Sequence, residues 1–388
     1  MRRMAILVMG LGAWACAAQG QAPAAEEIHG APRVQARAEI LWTRVICKEP
    51  GRYIGWPSVC ARKSGELLAV FSGDRDAHIC PFGKVQLVRS ADLGETWSAP
   101  EIARNTRLDD RDAGIVELAN GDLVLAWFTS RAYESQIRDR AKLKPGSPQF
   151  YWWLHDQKIS KAEKEEGLGF FTVRSSDGGK TWAKQARTLG STPHGPIALR
   201  DGRLLYVGRY FRDDKRCVIS VEESRDGGQS WQSIGEIPAA PEEDKPQMFH
   251  EPHVVEAGDG RLVAQIRYHG ADRCMRQSES ADGGRTWSVM AKTPLAGLPP
   301  HLLRLRSGKI VSVYGRRFDA FGEYAAVSDD EGRTWDAARE IKLAGHFDGD
   351  LGYPASAELP DGSVLTVYYQ AEKKDELTCL MGTRWRLK

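Results

Sequence analysis

The stretch Ser90-Ala-Asp-Leu-Gly-Glu-Thr-Trp97 decides how this chain folds, because its pattern returns four more times. The other copies occupy residues 175–182, 224–231, 280–287 and 328–335, at spacings of 85, 49, 56 and 48. Each reads S-x-D-x-G-x-T/S-W and follows an apolar run such as residues 85–88 or 324–327. The chemistry is that of a tight β-turn. Ser and Asp oxygens accept turn amides, Gly takes a positive φ, and Trp packs beneath the hairpin. A second repeat lies upstream of each copy: a strand, a turn glycine, and another strand. Its glycines are Gly65, Gly121, Gly202, Gly260, Gly308 and Gly362. A period near 50 with four strands per unit is the signature of a β-propeller. Six glycines predict six blades over residues 38–388. The sixth blade has no box, and residues 38–47 are expected to supply its outer strand, closing the ring without an exposed edge. Residues 131–167 form a long insertion in blade two, with an aromatic stretch (150–153) and a charged one (158–166). A lid or substrate subsite, or a solvated helix with a packed aromatic anchor, fits that composition.

Composition narrows the function. A chain of 388 residues with 39 Gly, 12 Trp and 41% hydrophobic residues is a turn-rich globular protein, not a disordered one. Its formal charge is 54 − 52 = +2. Two of the positives, Arg2 and Arg3, head an apolar segment followed by small residues, so residues 1–20 read as a signal peptide and the protein as periplasmic or secreted. Cys16 after Ala15 raises lipid anchoring, although Trp14 fits that processing site poorly. A near-neutral chain without basic runs excludes nucleic acid as a partner. Nothing later reaches about 18 apolar residues, so no transmembrane segment is expected. Six cysteines remain (Cys47, Cys60, Cys80, Cys217, Cys274 and Cys379), without zinc spacing, and neither a metal nor a cofactor is implied. In an oxidising compartment one or two pairs of them are open to disulfide formation, with no pairing set by sequence.

Repeat symmetry selects candidate site residues. Nine positions before each turn glycine, where each inner strand starts, stand Trp56, Asp112, Pro193, Glu251, Pro299 and Tyr353. Seven to ten positions after it, where the next strand ends on the same rim, stand Arg75, Arg131, Arg209, Arg267, Arg316 with Arg317, and Tyr369. The pattern predicts a ring of arginines around Glu251, Tyr353 and Asp112. The planar guanidinium fork suits a carboxylate or sulfate, so an anionic glycan is the expected partner. The plainer reading is that strand-end arginines pair with acids at blade junctions. Rim histidines (His78, His194, His250, His253, His269 and His301) have no distinctive ligand spacing and are assigned to hydrogen bonding with sugar hydroxyls.

The five boxes are Asp-boxes, and over nearly all of its mature length the chain resembles the sialidase (neuraminidase) superfamily of six-bladed propellers. The resemblance implies roles residue by residue. The segment opening at Glu251 and closing at Arg267 is similar to the one in which a sialidase Glu serves the nucleophile, and the segment opening at Tyr353 resembles the one bearing that tyrosine. Tyr353 would attack the anomeric carbon, Glu251 would take its proton, and Arg267 with Arg316 or Arg317 would bind the sugar carboxylate. The family's acid/base aspartate maps to the loop after Arg75, where Asp76 is nearest, with His78, Asp112 and Asp74 as alternatives. One departure is marked. Where the family opens blade one with Arg-Ile-Pro, this chain has Gly55-Trp56-Pro57, and where the family has Tyr-Glu near the chain's end it has Tyr369-Gln370. The first carboxylate clamp and the Glu that steadies it are both gone. Trp56 offers a stacking platform for a sugar face, and Arg75 or Arg111 is placed to replace the clamp. The family's default activity is exo-α-sialidase, a retaining glycosidase. The departure keeps open a hydrolase or lyase for another acidic glycan, or a glycan-binding propeller without catalysis, because a shared fold does not fix chemistry.

Overall fold

The computed structural model describes residues 33–34, 37–213, 216–243, 245 and 247–388, so the proposed signal peptide lies outside the described residues. Six antiparallel sheets follow one another around an axis. Blade one is Tyr53–Ala61, Leu67–Arg75, Lys84–Ser90 and Glu101–Arg104, and blade two is Asp109–Glu117, Leu123–Ser130, Phe170–Ser175 and Ala186–Thr188. Blade three has a first strand of only Ile197–Ala198, followed by Leu204–Phe211, Cys217–Ser224 and Gln232–Ile237. Blade four begins at Phe249–Glu256, blade five at Leu298–Arg304 and blade six at Gly352–Glu358. First strands of neighbouring blades pack on one another around the axis, except that blade three meets the first strand of blade four through its second strand, Leu204–Phe211. The final strand, Thr378–Leu387, pairs antiparallel with Ala38–Cys47, so the N-terminal strand completes the last sheet as the sequence predicts. Without that pairing Thr378–Leu387 would be an exposed edge strand.

The blades stay together through apolar layers between sheets. Ile54, Leu67, Ala69 and Phe71 of blade one meet Leu365, Val367 and Leu380 of blade six. Ala38, Ile40 and Trp385 pack with Val311, Val313 and Leu343 of blade five. Alternation along each strand puts these side chains on both faces of a sheet sandwiched between two others. At blades two and three the backbones themselves touch. A Cβ on Gly114 would lie 2.3 Å from Gly195 N, so only glycine fits there. All six turn glycines have φ between +81° and +90°.

In each Asp-box Ser, Asp and Gly bond one another, while the Trp N–H stays in the box at Trp97 and Trp287 and crosses to the preceding blade at Trp231 and Trp335. Ser90 Oγ accepts from Gly94 N–H at 2.9 Å and donates to Asp92 Oδ1 at 2.8 Å. Asp92 accepts the Thr96 amide (2.9 Å) and hydroxyl (2.6 Å), and Trp97 Nε1 donates to Gly94 O at 3.1 Å. The Thr96 and Ser90 donors hold Asp92 at about 2, and Asp177 and Asp282 are lowered in the same way. A carboxylate depressed in the fold stabilises it fully above its unfolded pKa of about 4 and loses that contribution as pH falls towards 2. The urea midpoint is therefore expected to drop less between pH 4.5 and pH 2.5 in Asp92→Asn than in the wild type. Equal drops in the two proteins would show that the box contributes no proton-linked stability.

The insertion is helical. Pro148–Asp156 is capped by Ser147, which accepts from Phe150 N, and Lys161–Gly167 starts in a capping box formed by Ser160 and Glu163. Trp152 is buried with Cys80 and Tyr133 and acts as the anchor, whereas the second helix buries no residue. All six described cysteines are free thiols. Among the described residues, no helix is long and apolar enough to cross a membrane.

Candidate active site

Four of the six slots found by counting back from the turn glycines share one unusual backbone. Trp56, Asp112, Glu251 and Tyr353 have φ of +53°, +50°, +40° and +54°. Each lies where its inner strand slips register against the second strand: between Gly55 and Ser58, Arg111 and Gly114, His250 and His253, and Gly352 and Ala355. A bulge re-aims the side chain it carries, and a bulky residue at positive φ persists only where its surroundings enforce it. The repeat thus supplies the same strained slot in four blades.

The slots from blades four and six meet. Tyr353 Oη donates to Glu251 Oε1 at 2.5 Å, and Arg267 Nη1 donates to Glu251 Oε2 at 2.5 Å and to Tyr353 Oη at 3.3 Å. Burial works to raise the Glu251 pKa, but Arg267 and the Tyr353 hydrogen bond override it and hold the carboxyl at about 2. Burial and the Glu251 charge push the Tyr353 phenol up. The resting pair is therefore a carboxylate accepting from a neutral phenol. Arg267 is steadied in turn by His269, whose Nε2 accepts from Arg267 Nε at 2.8 Å while its ring stacks on His250 at 4.0 Å.

The two adjacent arginines of blade five part ways. Arg316 turns outward to Glu340 (2.7 Å) and lies over the Tyr324 ring, so it does not reach the site. Arg317 turns inward, donating to Tyr369 Oη (2.8 Å) and Leu351 O (2.9 Å), with its guanidinium 5.4 Å from the Tyr353 ring centre.

The expected ring of free arginines is otherwise corrected. Arg75 has no exposed surface and forms a two-pronged pair with Asp109, at 2.5 and 3.0 Å. Arg131 pairs with Glu134 of the insertion, and Arg209 bonds Cys217 Sγ. Arg111 is also buried, donating to His78 O at 3.3 Å with Asp109 3.6 Å away. Arg75 and Arg111 lie 4.9 and 4.0 Å from the Trp56 ring, so that ring covers them and replaces a clamp rather than standing beside one. Trp56 is itself buried with Tyr53, Tyr353 and Tyr369.

Among the candidate acids, Asp76 is tied on one oxygen to Arg52 (2.5 Å) and on the other to Trp152 Nε1 of the insertion (2.7 Å). Asp74 is held by Arg52 and Lys84. Asp112 is 6% exposed and, through burial opposed by Arg111, sits at about 7, with one carboxyl oxygen unpaired among the described residues. His194, His253 and His301 are buried together in edge-on and stacked contact, away from a sugar-hydroxyl role. No group of His, Cys, Asp or Glu able to hold a metal occurs among the described residues.

Sequence reasoning missed Asp109, Tyr53 and Asp350. A signal for the first exists in Asp109-Asp-Arg-Asp112, where four charged residues open an otherwise apolar strand; charges buried at that density are paired.

The BNR repeat-like domain family matches residues 150–366, more than half of the sequence. The chain belongs to the BNR repeat-like domain family. No curated protein matches it in sequence. Among solved structures, a protein of unknown function from Dyadobacter fermentans superposes with a TM-score of 0.73 at 21% identity, covering 90% of this chain and 99% of that one. For a variant of NanB sialidase from Streptococcus pneumoniae the values are 0.62, 17%, 88% and 70%. For Trypanosoma rangeli sialidase bound to the inhibitor DANA they are 0.58, 16%, 86% and 55%, so this BNR propeller spans about half of that enzyme. These identities speak for a shared fold.

Proposed function

We propose that this BNR propeller is a retaining exo-glycosidase for a terminal acidic sugar, with a sialoside as the first substrate to test. The observation that carries the reading is the Tyr353–Glu251 contact of 2.5 Å with Arg267 bonded to both partners. A phenol is a poor nucleophile until a base takes its proton, and beside an anionic sugar it suffers less repulsion than a carboxylate nucleophile. In this mechanism Tyr353 Oη attacks the anomeric carbon as its proton passes to Glu251 Oε1. The Arg267 N–H at the phenol oxygen stabilises charge that develops there. Arg267 and Arg317 grip the sugar carboxylate.

Trp56 is too buried to serve as the stacking platform expected of it, but by standing in the first-clamp slot it favours a second substrate class on the same machinery: a uronic-type acidic sugar held by two guanidiniums rather than by three. Aryl sialosides and aryl glucuronides assayed side by side separate the classes. Release of aryl alcohol from neutral glycosides alone would overturn the acidic-sugar reading. Arg317→Met is expected to raise KM for the preferred acidic substrate about tenfold or more, roughly 1.4 kcal/mol of ground-state binding. An unchanged KM would remove Arg317 from the carboxylate grip.

A further inference from the structure

The loop after Arg75 presents to the mouth not Asp76 but His78, and the loop before Tyr353 sends Asp350 to meet it. Tyr53 Oη stands between them, donating to Asp350 Oδ1 at 2.8 Å and lying 3.0 Å from His78 Nδ1. The direction of these bonds follows from proton counting. A phenol has one proton, and an ionised carboxylate accepts only, so Tyr53 spends its proton on Asp350. Burial acts to raise the Asp350 pKa, but the nearby His78 imidazole, 3.9 Å away, and the bond from Tyr53 lower it overall, in keeping with that ionised state. The contact with His78 then requires Nδ1 to carry a hydrogen and donate to the phenol oxygen. The second ring nitrogen, Nε2, is left with a lone pair in neutral His78 and with an acidic proton in the cation. The His78 side chain is 44% exposed, and its ring meets Trp56 edge-on at 4.8 Å, an indole that also meets the Tyr353 ring at 6.4 Å.

We propose that His78, oriented through Tyr53 by Asp350, is the acid/base of the glycosidase reaction, a role that rests on the reading above. Asp76 is consumed by Arg52 and Trp152, and Asp112 is buried next to Arg111, whereas His78 is open and has a defined tautomer. In the first step His78 Nε2–H protonates the glycosidic oxygen as the bond to the anomeric carbon breaks. Tyr353 Oη bonds that carbon and its proton goes to Glu251. In the second step water attacks the same carbon, gives a proton to His78 Nε2, and the Tyr353 oxygen leaves and recovers its proton from Glu251. Atoms and protons balance without a co-reactant. The groups facing the imidazole are Tyr53 from the inner strand of blade one, Asp350, and the guanidiniums of Arg75 and Arg111, both donating to the His78 carbonyl, with Arg317 nearby. Burial and the arginines lower the His78 pKa against the pull of Asp350. The acid form therefore gains as pH falls below about 6.5.

The test uses the full chain with alkyl and 4-nitrophenyl glycosides of the same acidic sugar. His78→Ala should lower kcat/KM for the alkyl glycoside by about 10²–10⁴-fold, the ordinary worth of acid catalysis, and for the 4-nitrophenyl glycoside by less than about tenfold. Azide should restore part of its kcat, and the rise of wild-type alkyl kcat/KM towards acid pH should vanish. Equal losses on both leaving groups, or a leaving-group dependence that follows Asp112→Asn instead, would overturn the proposal. Nitrogen NMR of the imidazoles supplies a readout independent of turnover: His78 must be the Nδ1–H tautomer, and finding Nε2–H would also overturn it. Absence of any glycosidase activity in the wild type would count against the glycosidase reading itself, and the assigned tautomer would then stand or fall alone.

Discussion

Tyr353→Phe is expected to lower turnover of the preferred acidic glycoside by at least about a thousandfold, about 4 kcal/mol of transition-state stabilisation, while a non-hydrolysable analogue of the substrate binds within a few-fold of wild type. The variant keeps the ring, its edge contact with Trp56 and its place under Arg317, so the aromatic wall of the site survives. What disappears is one oxygen, the atom that accepts from Arg267 and donates to Glu251. Glu251 keeps its other carboxylate oxygen on Arg267, and the folding cost is confined to two lost hydrogen bonds, about 1 kcal/mol each. Because removal of a nucleophile acts on the transition state and not on ground-state contacts, kcat should fall and KM or Kd should not rise with it. Retention of more than a tenth of wild-type turnover would mean that Tyr353 is only a wall residue. Glu251→Gln should approach the same loss from the other side, since an amide cannot take the phenol proton.

The parts of this site that were legible in sequence are those the repeat controls. An Asp-box bonds its own Ser, Asp and Gly in one local turn, so every blade that has one declares itself. Counting from the turn glycines reached Trp56, Asp112, Glu251 and Tyr353 because the inner strands of those blades bulge at the same place, and the structure gives all four the same left-handed backbone. The reading lost resolution at strand ends. Arg316 and Arg317 are neighbours with opposite directions, and successive strand residues face opposite sides of a sheet; which of two adjacent arginines turns inward depends on where the strand stops. Arg75 occupies the expected rim slot, yet Asp109 of the next blade claims it, a contact between segments that have no common motif. Asp350 stands three positions ahead of Tyr353, as Tyr53 and Asp109 stand three ahead of Trp56 and Asp112, so the repeat reaches all three missed residues when the count starts twelve positions before the turn glycine instead of nine. What the count does not give is the partner each of them takes, because Arg75 and His78 come from strand ends and loops.

That buried pair carries the largest expected effect on stability. Asp109→Ala is predicted to destabilise the fold by about 3–5 kcal/mol, the usual consequence of stranding a buried charge. Neither side chain has exposed surface, and the space around them is full: a Cβ on Gly83 would come within 2.0 Å of Arg75 Nη1 and 2.3 Å of Asp109 Oδ1. The remaining acceptors, Ser72 Oγ at 3.2 Å and the carbonyls of His78 and Ala77 at 3.0 and 3.4 Å, are neutral, so nothing left in place matches the guanidinium charge. Arg75 lowers its cost in the variant only by dragging its strand end towards solvent, and Trp56 rides on that guanidinium, so the floor of the site loosens with it. A lower unfolding midpoint in urea should therefore be accompanied by a higher KM. The double variant Asp109→Leu with Arg75→Met separates the causes, because apolar replacement of both ions removes the stranded charge and keeps the volume. It should recover most of the lost stability while leaving Trp56 without the Arg75 cation beneath it. A double variant as unstable as Asp109→Ala would mean that the pair itself, not the avoidance of an unpaired guanidinium, holds blades one and two together.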